Sequence, residues 1–278
     1  MSTPAEPAAG PAAGLAAQGS ARAAGDAPAS RVALVTGASR GIGAETARLL
    51  SADGHRVALV SRRRGALEAL AAELPGPSLV LPADVTDPAQ VEETFAAVER
   101  AWGPVEVLVL NAGAGASSPL AGTSDEEWSR MLELNLTAPF RWLRRAVPSM
   151  VERGFGRVVA IASVTAKRGE ARVAAYSASK HGLLGLVRSA AAELARSGVT
   201  VNAVCPGYVD TPMTDDSIRQ IAERSDRTLE QAHDVLARRQ PIGRLVTPAE
   251  VAEAVLLCVH NGAVNGQGLN VDGGAVQS

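Results

Sequence analysis

This sequence has few aromatic residues and few cysteines, and its positive and negative charges nearly cancel. Phenylalanine, tryptophan and tyrosine make up 3% of the 278 residues, so the core must be aliphatic, which suits a parallel sheet buried on both faces. The net charge of −2 argues against a general binder of nucleic acid or of membrane surfaces. No apolar run approaches the roughly 20 residues that a membrane-spanning helix needs. We therefore expect neither nucleic acid nor a membrane among its partners.

The few cysteines and histidines predict neither a disulfide nor a metal site. Cys205 and Cys258 lie in apolar segments, which is typical of buried, reduced thiols. The histidines are scattered along the chain and show no metal-ligand spacing, so the sequence predicts no bound metal. They are His55, His181, His233 and His260.

Residues 1–30 differ in composition from the rest of the chain, because alanine, proline and glycine dominate them. A secretory signal needs a basic start and a continuous Leu- and Val-rich stretch, and this segment has neither. A segment with so little to bury predicts a disordered tail. We therefore expect a cytoplasmic protein in which one domain, residues 31–278, follows the tail.

From residue 32 onward, short apolar runs alternate with segments of helical periodicity. This alternation predicts one α/β domain, a doubly wound Rossmann-like fold with a seven-stranded parallel sheet flanked by helices. The predicted strands are 32–35, 57–60, 78–81, 105–110, 158–162, 199–204 and 268–271. The predicted helices are 42–52, 67–74, 88–102, 125–153 with bends at Pro139 and Pro148, 174–196 and 248–259. Residues 213–239 are polar and helical in pattern, which predicts a mobile substrate lid.

The first predicted strand leads directly into a glycine-rich turn, TGASRGIG over residues 36–43, that opens a helix. Missing side chains let the backbone approach a diphosphate, and a helix N-terminus offers free N–H groups with positive partial charge. Glycines also fill tight turns for structural reasons, but the order strand, turn and helix favours a nucleotide site. The predicted contacts in this turn are Gly37, Ser39, Arg40, Gly41, Ile42 and Gly43.

The residues after the second predicted strand favour NADP over NAD. A carboxylate at this place holds the ribose hydroxyls of NAD, whereas this chain has Ser61 followed by Arg62, Arg63 and Arg64. Guanidinium groups there, together with Arg40, suit a 2′-phosphate. The alternative is that the arginines are only the solvated start of a helix.

Polar and small residues also follow the third and fourth predicted strands. The carboxyl ends of parallel strands meet at one edge of the sheet, where open sheets bind their ligands. We therefore add these residues to the predicted nucleotide site. They are Asp84, Val85, Asn111, Ala112 and Gly113.

Tyr176 and Lys180 are four residues apart in a predicted helix, so their side chains project from one face. A nearby ammonium stabilises phenolate, so we expect the pKa of Tyr176 to lie below the free value of about 10. Tyr176 would then be a general acid or base near neutral pH. An ordinary surface tyrosine does not have this property.

Ser163 follows the fifth predicted strand and so lies at the same sheet edge as the nucleotide site. Its hydroxyl can donate to a substrate carbonyl and stabilise the charge that develops there. A serine nucleophile of the hydrolase kind would need a partner base, and the sequence has neither a histidine at a comparable strand end nor a G-x-S-x-G turn. Phenol, hydroxyl and nucleotide site together predict redox chemistry on a carbonyl or an alcohol.

In combination, these motifs resemble the short-chain dehydrogenase/reductase family, from about residue 31 to the end of the chain. The motifs that carry the resemblance are TGASRGIG (36–43), NAG (111–113), Asn135, Ser163, YSASK (176–180) and PGYVDTPM (206–213). The resemblance implies a single Rossmann-like domain with strand order 3-2-1-4-5-6-7, in most members a homotetramer.

The resemblance also implies a role for each residue of the set. It implies that Tyr176 passes a proton to or from the substrate oxygen, and that Lys180 holds the nicotinamide ribose and lowers the pKa of the phenol. It implies that Ser163 positions the carbonyl and that Asn135 holds a water in the proton relay. The residues that match the nicotinamide-cradling segment are Pro206, Gly207, Val209 and Thr211.

Residues 241–274 look like those of 3-oxoacyl-thioester reductases and polyketide ketoreductases. The resemblance therefore implies an NADPH-dependent ketoreductase that reduces a 3-oxoacyl thioester, linked to acyl carrier protein or coenzyme A, or a related ketone. The long lid leans towards the polyketide or acyl-CoA branch. Arg153 and Arg196 are candidates to face an acidic carrier protein, or are simply cations at helix ends, where the dipole favours them.

Two alternatives stay open at this point. One is a secondary-alcohol or 3-hydroxyacyl-CoA dehydrogenase running oxidatively, because the same tyrosine serves both directions. The other is a non-catalytic NADP-binding sensor or scaffold. The intact Ser163, Tyr176 and Lys180 argue against the second alternative, since a scaffold has no use for a tuned phenol.

Overall fold

The computed structural model describes residues 30–277. These residues form one parallel sheet of seven strands in the order β3-β2-β1-β4-β5-β6-β7, which confirms the predicted fold and strand order. The strands are β1 (Val32–Thr36), β2 (Arg56–Ser61), β3 (Ser78–Pro82), β4 (Val107–Leu110), β5 (Gly156–Ile161), β6 (Val199–Pro206) and β7 (Gly268–Val271). The predicted tail is residues 1–30, of which all but Ser30 lie outside the described residues.

Helices connect the strands along the described chain. They are α1 (Gly41–Ala52), α2 (Arg64–Glu73), α3 (Pro88–Trp102), α4 (Asp125–Leu132), α5 (Ala138–Glu152), α6 (Ala174–Leu194), α7 (Pro212–Ser225), α8 (Leu229–Ala237) and α9 (Pro248–His260). None of the helices in residues 30–277 has the length and apolar character that crossing a bilayer requires.

The sheet is the middle layer of three, because its inner strands are buried on both faces, whereas the edge strands β3 and β7 are partly buried. β1 lies at the centre, where Val35 pairs with Leu59 of β2 and with Val109 of β4. One face packs against α3, α5 and α6, and the opposite face packs against α1, α2 and α9. The core is aliphatic as predicted, apart from the tilted pair of Phe95 and Trp142, whose ring centroids are 5.5 Å apart.

Local sequence signals set several helix starts. The Asp87 side chain accepts from the Ala89 N–H at 2.9 Å, and Pro88 occupies the first turn of α3, where its missing N–H leaves nothing unsatisfied. α9 begins with a capping box, in which Thr247 and Glu250 satisfy each other's backbone N–H groups. These caps explain why the sequence predicts the start of both helices correctly.

The single long helix predicted over residues 125–153 is wrong in its middle. α4 ends at Leu132, and Glu133–Thr137 form a π-helical turn before α5 begins at Ala138. The interruption precedes Pro139, which lies in the first turn of α5, whereas Pro148 lies inside that helix. The wide turn carries Asn135 in full burial, at the point where α4 and α6 meet.

The predicted lid segment, residues 213–239, contains most of α7 and all of α8. The two helices pack on each other around a small apolar cluster of Ile218, Ala232 and Leu236 with Leu245, separate from the two clusters that flank the sheet. The base of the segment is fixed, because Val209 and Val246 form a parallel bridge. The predicted lid is therefore a small helical unit on a fixed base.

Candidate active site

A pocket of about 680 Å³ opens at the carboxyl ends of the strands, at the edge where the sequence places the nucleotide site. Its lining includes every predicted site residue of the described chain except Gly43 and Asn135. The predicted residues that line it are Gly37, Ser39, Arg40, Gly41, Ile42, Ser61, Arg62, Arg63, Asp84, Val85, Asn111, Ala112, Gly113, Ser163, Tyr176, Lys180, Pro206, Gly207, Val209 and Thr211. The fold thus gathers segments from the whole chain into one site.

The glycines of the turn after β1 make room for the neighbouring segment after β4. Gly37 has a φ of +67°, and a methyl group there would lie 2.8 Å from Asn111 Nδ2 and 2.9 Å from Ala112 Cα. A methyl group at Gly43 would lie 2.4 Å from the same Asn111 nitrogen. Both glycines therefore allow the turn to pack closely against the segment after β4. Gly37 also lines the pocket, whereas Gly43 does not.

Thr36 and Asn111 fasten the ends of β1 and β4 to each other. The Thr36 hydroxyl donates to the Val109 carbonyl at 3.2 Å and accepts from the Asn111 N–H at 3.0 Å. The Asn111 side chain in turn donates to the Thr36 carbonyl at 2.9 Å and to the Gly37 carbonyl at 3.1 Å. These hydrogen bonds hold the ends of β1 and β4 together beneath the pocket. The side-chain nitrogen of Asn111 therefore has a structural role.

The N-terminus of α1 is suited to a phosphate group. Its N-cap residue is Arg40, which makes no side-chain cap within the described chain, and the first turn has no acidic residue. By contrast, side chains cap the starts of α3 and α9. A methyl group at Gly41 would lie 3.1 Å from Thr211 Cγ2, so the turn is narrow here as well. Free N–H groups, positive partial charge and a cradle without side chains fit a diphosphate.

Basic side chains line the end of the pocket near β2. Arg63 Nη2 donates to Ser39 Oγ at 2.9 Å, which joins the residues after β2 to the glycine turn. Arg62 is exposed and lies 3.9 Å from Asp84 Oδ2. Hydrogen bonds from the Thr86 N–H and hydroxyl, with a smaller contribution from Arg62, lower the pKa of Asp84, so its carboxylate is charged. The positive charge of Arg62 is thus only partly neutralised by Asp84. This end of the pocket therefore fits a group with more than one negative charge.

Ser163, Tyr176 and Lys180 come together at the opposite end of the pocket. Lys180 is buried and its Nζ donates to the Ile161 carbonyl at 2.8 Å, while lying 5.8 Å from the centre of the Tyr176 ring. Ser163 Oγ accepts from the Thr165 N–H at 3.1 Å, which fixes the hydroxyl at the start of a short turn after β5. The phenol and the hydroxyl therefore share one end of the pocket with a buried ammonium.

The expected low pKa of the Tyr176 phenol is not what the structure indicates. Burial raises its pKa, and the hydrogen bond with Ser163 offsets this only in part. Burial also lowers the pKa of Lys180 to about 8, and the ammonium is directed to a backbone carbonyl. At neutral pH the free protein therefore holds a protonated phenol beside a charged lysine. The sequence identifies the neighbour of Tyr176 but not the burial of the pair.

Asn135 is completely buried and set back from the pocket. Its Oδ1 accepts from the Ala114 N–H at 3.1 Å, and its Nδ2 donates to the Ala114 carbonyl at 2.9 Å and to Ser179 Oγ at 3.2 Å. A methyl group at Gly113 would lie 2.9 Å from Asn135 Oδ1 and 3.6 Å from Lys180 Nζ. The side chain thus holds the segment after β4 against the helix that carries Tyr176.

Sequence reasoning missed several residues that line the pocket. Met213 is the last residue of the PGYVDTPM motif, and Thr214 next to it donates to the Val209 carbonyl at 2.5 Å. Arg130, Glu133 and Leu134 lie within five residues of Asn135 on α4 and the π-helical turn. The signal that could have found them is helical spacing from Asn135. The other missed residues are Ala83, Thr86, Ala114, Ile161, Ala162 and Pro212.

Comparisons with known proteins agree with this geometry. A family profile described as short chain dehydrogenase matches residues 31–222. The 3-oxoacyl-[acyl-carrier-protein] reductase MabA of Mycobacterium tuberculosis is 41% identical, with 88% of this chain and 92% of that protein aligned. The D-beta-hydroxybutyrate dehydrogenase of Rhizobium meliloti is 34% identical, with 88% of this chain and 98% of that protein aligned.

A solved structure shows the same likeness. It is that of an actinorhodin polyketide ketoreductase variant with NADPH, which is 42% identical to this chain and superposes with a TM-score of 0.84. The match covers 88% of this chain and 97% of that one. The sheet order, the pocket at the strand ends and these relatives lead to one conclusion. The chain belongs to the short-chain dehydrogenase family.

Proposed function

We propose that this protein is an NADPH-dependent ketoreductase that reduces a 3-oxoacyl thioester or a related ketone. One observation supports this most strongly, namely a single pocket with Tyr176 and Ser163 at one end and Arg40, Arg62 and Arg63 at the other. The first end suits protonation of a carbonyl oxygen, and the second suits a phosphorylated nucleotide. The MabA and actinorhodin ketoreductase relatives support the same assignment.

The chain's own residues would hold the cofactor along the pocket. The N–H groups at the start of α1 and the turn around Gly41 would take the diphosphate. Arg62 and Arg63 would take the 2′-phosphate, and Lys180 with the segment after β6 would take the nicotinamide ribose. When bound, NADPH supplies the hydride that reduces the ketone carbon.

The proton chemistry follows from the protonation states in the pocket. Tyr176 is a neutral phenol at pH 7, so it donates its proton to the ketone oxygen as that oxygen gains charge. Ser163, in hydrogen-bond contact with the phenol, donates to the same oxygen and positions it. The Lys180 ammonium then stabilises the phenolate that Tyr176 leaves behind. A protonated phenol in the free protein supports the reductive direction.

The substrate assignment rests on the relatives and on the lid. MabA is named as a 3-oxoacyl-[acyl-carrier-protein] reductase, which supports an acyl thioester as substrate. Met213, at the start of α7, lines the pocket and is 41% exposed, so the lid presents an apolar side chain there. An acyl chain lying under α7 and α8 would cover such a side chain. We propose that the acyl chain is linked as a thioester to acyl carrier protein or to coenzyme A.

An acidic acyl carrier protein is a proposed partner, but Arg153 and Arg196 are poorly placed for it within one chain. Arg153 lies three residues before β5 and Arg196 three residues before β6. Both therefore lie at the amino edge of the sheet, opposite the pocket. Their position next to the ends of α5 and α6 supports the interpretation as helix-end cations.

We also propose a homotetramer, as the family resemblance implies, and a cytoplasmic location. Support for self-association comes from Trp128 on α4 and Phe140 on α5, each 41% exposed. Burial of exposed large apolar side chains is what a protein interface would provide. Size-exclusion chromatography with light scattering measures the assembly, and a monomer at working concentration would contradict the proposal.

An alcohol dehydrogenase running oxidatively is the second candidate, and the likeness to D-beta-hydroxybutyrate dehydrogenase favours it. The deciding experiment is a substrate panel followed by NADPH absorbance, with 3-oxoacyl thioesters and 3-ketoesters in one direction and 3-hydroxy acids with NADP or NAD in the other. Reduction of the ketones with NADPH supports the proposal. Oxidation of hydroxy acids with NAD alone would favour the second candidate. A protein that binds NADPH but turns over none of these substrates would favour a sensor.

A further inference from the structure

A second cluster of polar side chains lies at the amino edge of the sheet, on the opposite side from the pocket. Asp53 follows α1, His55 directly precedes β2, and His260 is the last residue of α9. Asp53 and His260 are 207 residues apart in the chain. The cluster exists only because α1 and α9 pack side by side on one face of the sheet.

The three side chains converge on a common point. Asp53 Oδ2 lies 2.6 Å from His260 Nε2 and 3.1 Å from His55 Nε2. One ligand atom from each residue can be chosen so that all three lie within 4.8 Å of one another. Two imidazoles and a carboxylate are a donor set that zinc favours, whereas magnesium and calcium favour oxygen donors alone.

His55 supplies an independent indication of a ligand. The side chain is 1% exposed, and its Nε2 lies 3.1 Å from Asp53 Oδ2 without the geometry of a hydrogen bond and has no hydrogen-bond partner among residues 30–277. A buried polar nitrogen left unsatisfied is unfavourable, so such an atom calls for an explanation. The other ring nitrogen, Nδ1, accepts from the Arg31 N–H across 3.3 Å.

We propose that Asp53, His55 and His260 bind a zinc ion that joins the end of α1 to the end of α9. Ligands at zinc–nitrogen and zinc–oxygen distances near 2.1 Å in a tetrahedron are about 3.4 Å apart. The Asp53–His55 separation of 3.1 Å is close to this value, and the Asp53–His260 separation of 2.6 Å has to open slightly. His260 is 44% exposed and Asp53 19% exposed in their side chains, so the ion has a path from solvent and water can complete its coordination.

Zinc binding changes two protons at the site. The proton that His260 Nε2 shares with Asp53 Oδ2 leaves Nε2, so that the ring binds the metal as the neutral tautomer with its proton on Nδ1. On His55 the proton moves to Nδ1, so that Nε2 is free to bind the metal and Nδ1 no longer accepts from the Arg31 N–H.

The experiment is a calorimetric titration of zinc sulfate into the full chain, purified without a polyhistidine tag. The test variant is His260→Ala, since that side chain is partly exposed and its removal leaves the core intact. The matched control is His233→Ala, which removes an equally exposed histidine beside a carboxylate, 3.8 Å from Asp234 Oδ1, that has no third ligand nearby in the described chain. Asp53→Asn is the second test variant, because it keeps the size of the side chain.

We expect one zinc ion per chain and an affinity at least about tenfold lower in His260→Ala and in Asp53→Asn. His233→Ala should bind zinc like the unmodified protein. Zinc should also raise the melting temperature of the unmodified protein and of His233→Ala but not that of His260→Ala. Absence of zinc binding by the unmodified protein, or equal affinity in His260→Ala, would overturn the proposal. The three side chains would then be only a hydrogen-bonded contact between two helices.

Discussion

The side-chain amide of Asn135 donates to the hydroxyl of Ser179 across 3.2 Å. The Ser179 hydroxyl in turn donates to the Tyr176 carbonyl at 2.7 Å, one turn earlier on α6. Through this pair, the π-helical turn is joined to the part of α6 that presents Tyr176 and Lys180. Asn135 is thus a positioning residue whose own side chain is fully occupied by protein contacts.

Asn135→Ala should lower both stability and turnover. The change removes three hydrogen bonds of a buried side chain, each contributing about 1 kcal/mol, so we expect a loss of roughly 3 kcal/mol in the free energy of unfolding. Ser179→Ala removes two hydrogen bonds, the one from Asn135 and the one to the Tyr176 carbonyl, and should cost about two thirds as much. Urea unfolding and kcat for ketone reduction measure the two effects. If Asn135→Ala matches Ser179→Ala in both readouts, the positioning role is wrong.

Cofactor preference should depend on the arginines that line the pocket. Ser61→Asp combined with Arg62→Ala should move preference from NADPH towards NADH, because charge-assisted contacts contribute about 1.5–3 kcal/mol each, or roughly one to two powers of ten. Arg63→Ala should also weaken NADPH binding, since Arg63 reaches Ser39 across the pocket. The measurement is kcat/KM with both cofactors.

The control for this series is Arg64→Ala. Arg64 belongs to the same basic run, but it lies outside the pocket lining and faces Glu68 at 3.6 Å. Its removal should leave the preference unchanged. An unmodified enzyme that uses NADH as well as NADPH would show that the basic residues do not select the cofactor.

Reduction should weaken in alkaline solution. The pKa of Lys180 lies at about 8, below the usual lysine value, so its ammonium is present at neutral pH and is lost as the pH rises through 8. The pKa of Tyr176 is raised, so the phenol keeps its proton over the same range. We expect kcat/KM for reduction to fall with rising pH around this value, since this profile reports groups of the free enzyme. A profile that stays flat through this range would contradict the role of the ammonium.

Hydrogen exchange should separate the lid from the domain that carries it. Residues 213–239 are held together by one small apolar cluster, and Leu229 of α8 is 59% exposed. We expect fast exchange there in the free enzyme and slower exchange with NADPH and substrate bound. α9 is the internal control, because it packs against the sheet and should be protected in both states. Equal protection of residues 213–239 in both states would mean that the segment is fixed structure.

The sheet and the site could be predicted because both follow from short-range patterns. Apolar runs identify the strands, and parallel strands bring the residues after them to one edge, so residues as distant as Gly37 and Pro206 fall in one pocket. Pro139 predicts a bend in this region, but no residue type distinguishes a π-helical turn from an α-helix, so the interruption at Glu133–Thr137 is not itself predicted.

The features that the sequence does not predict depend on burial and on contacts between distant parts of the chain. The spacing of Tyr176 and Lys180 indicates that they are neighbours, but the direction of the phenol pKa depends on how deeply the fold buries them. Asp53 and His260 are even harder to connect, because their contact joins opposite ends of the domain through the packing of α1 on α9. Spacing within the sequence carries no signal for such a cluster.

The most direct test of the proposed function compares Tyr176→Phe with Tyr208→Phe, which remove the hydroxyls of the two tyrosines of the chain. The Tyr208 hydroxyl donates to Glu170 at 2.9 Å, outside the pocket lining, so its loss should change turnover little. Tyr176→Phe should still bind NADPH, as measured by fluorescence titration, but should reduce a 3-oxoacyl thioester about 10²–10⁴-fold more slowly because the proton donor is gone. A Tyr176→Phe enzyme that keeps more than about a tenth of the unmodified kcat would contradict the assignment of Tyr176 as the general acid.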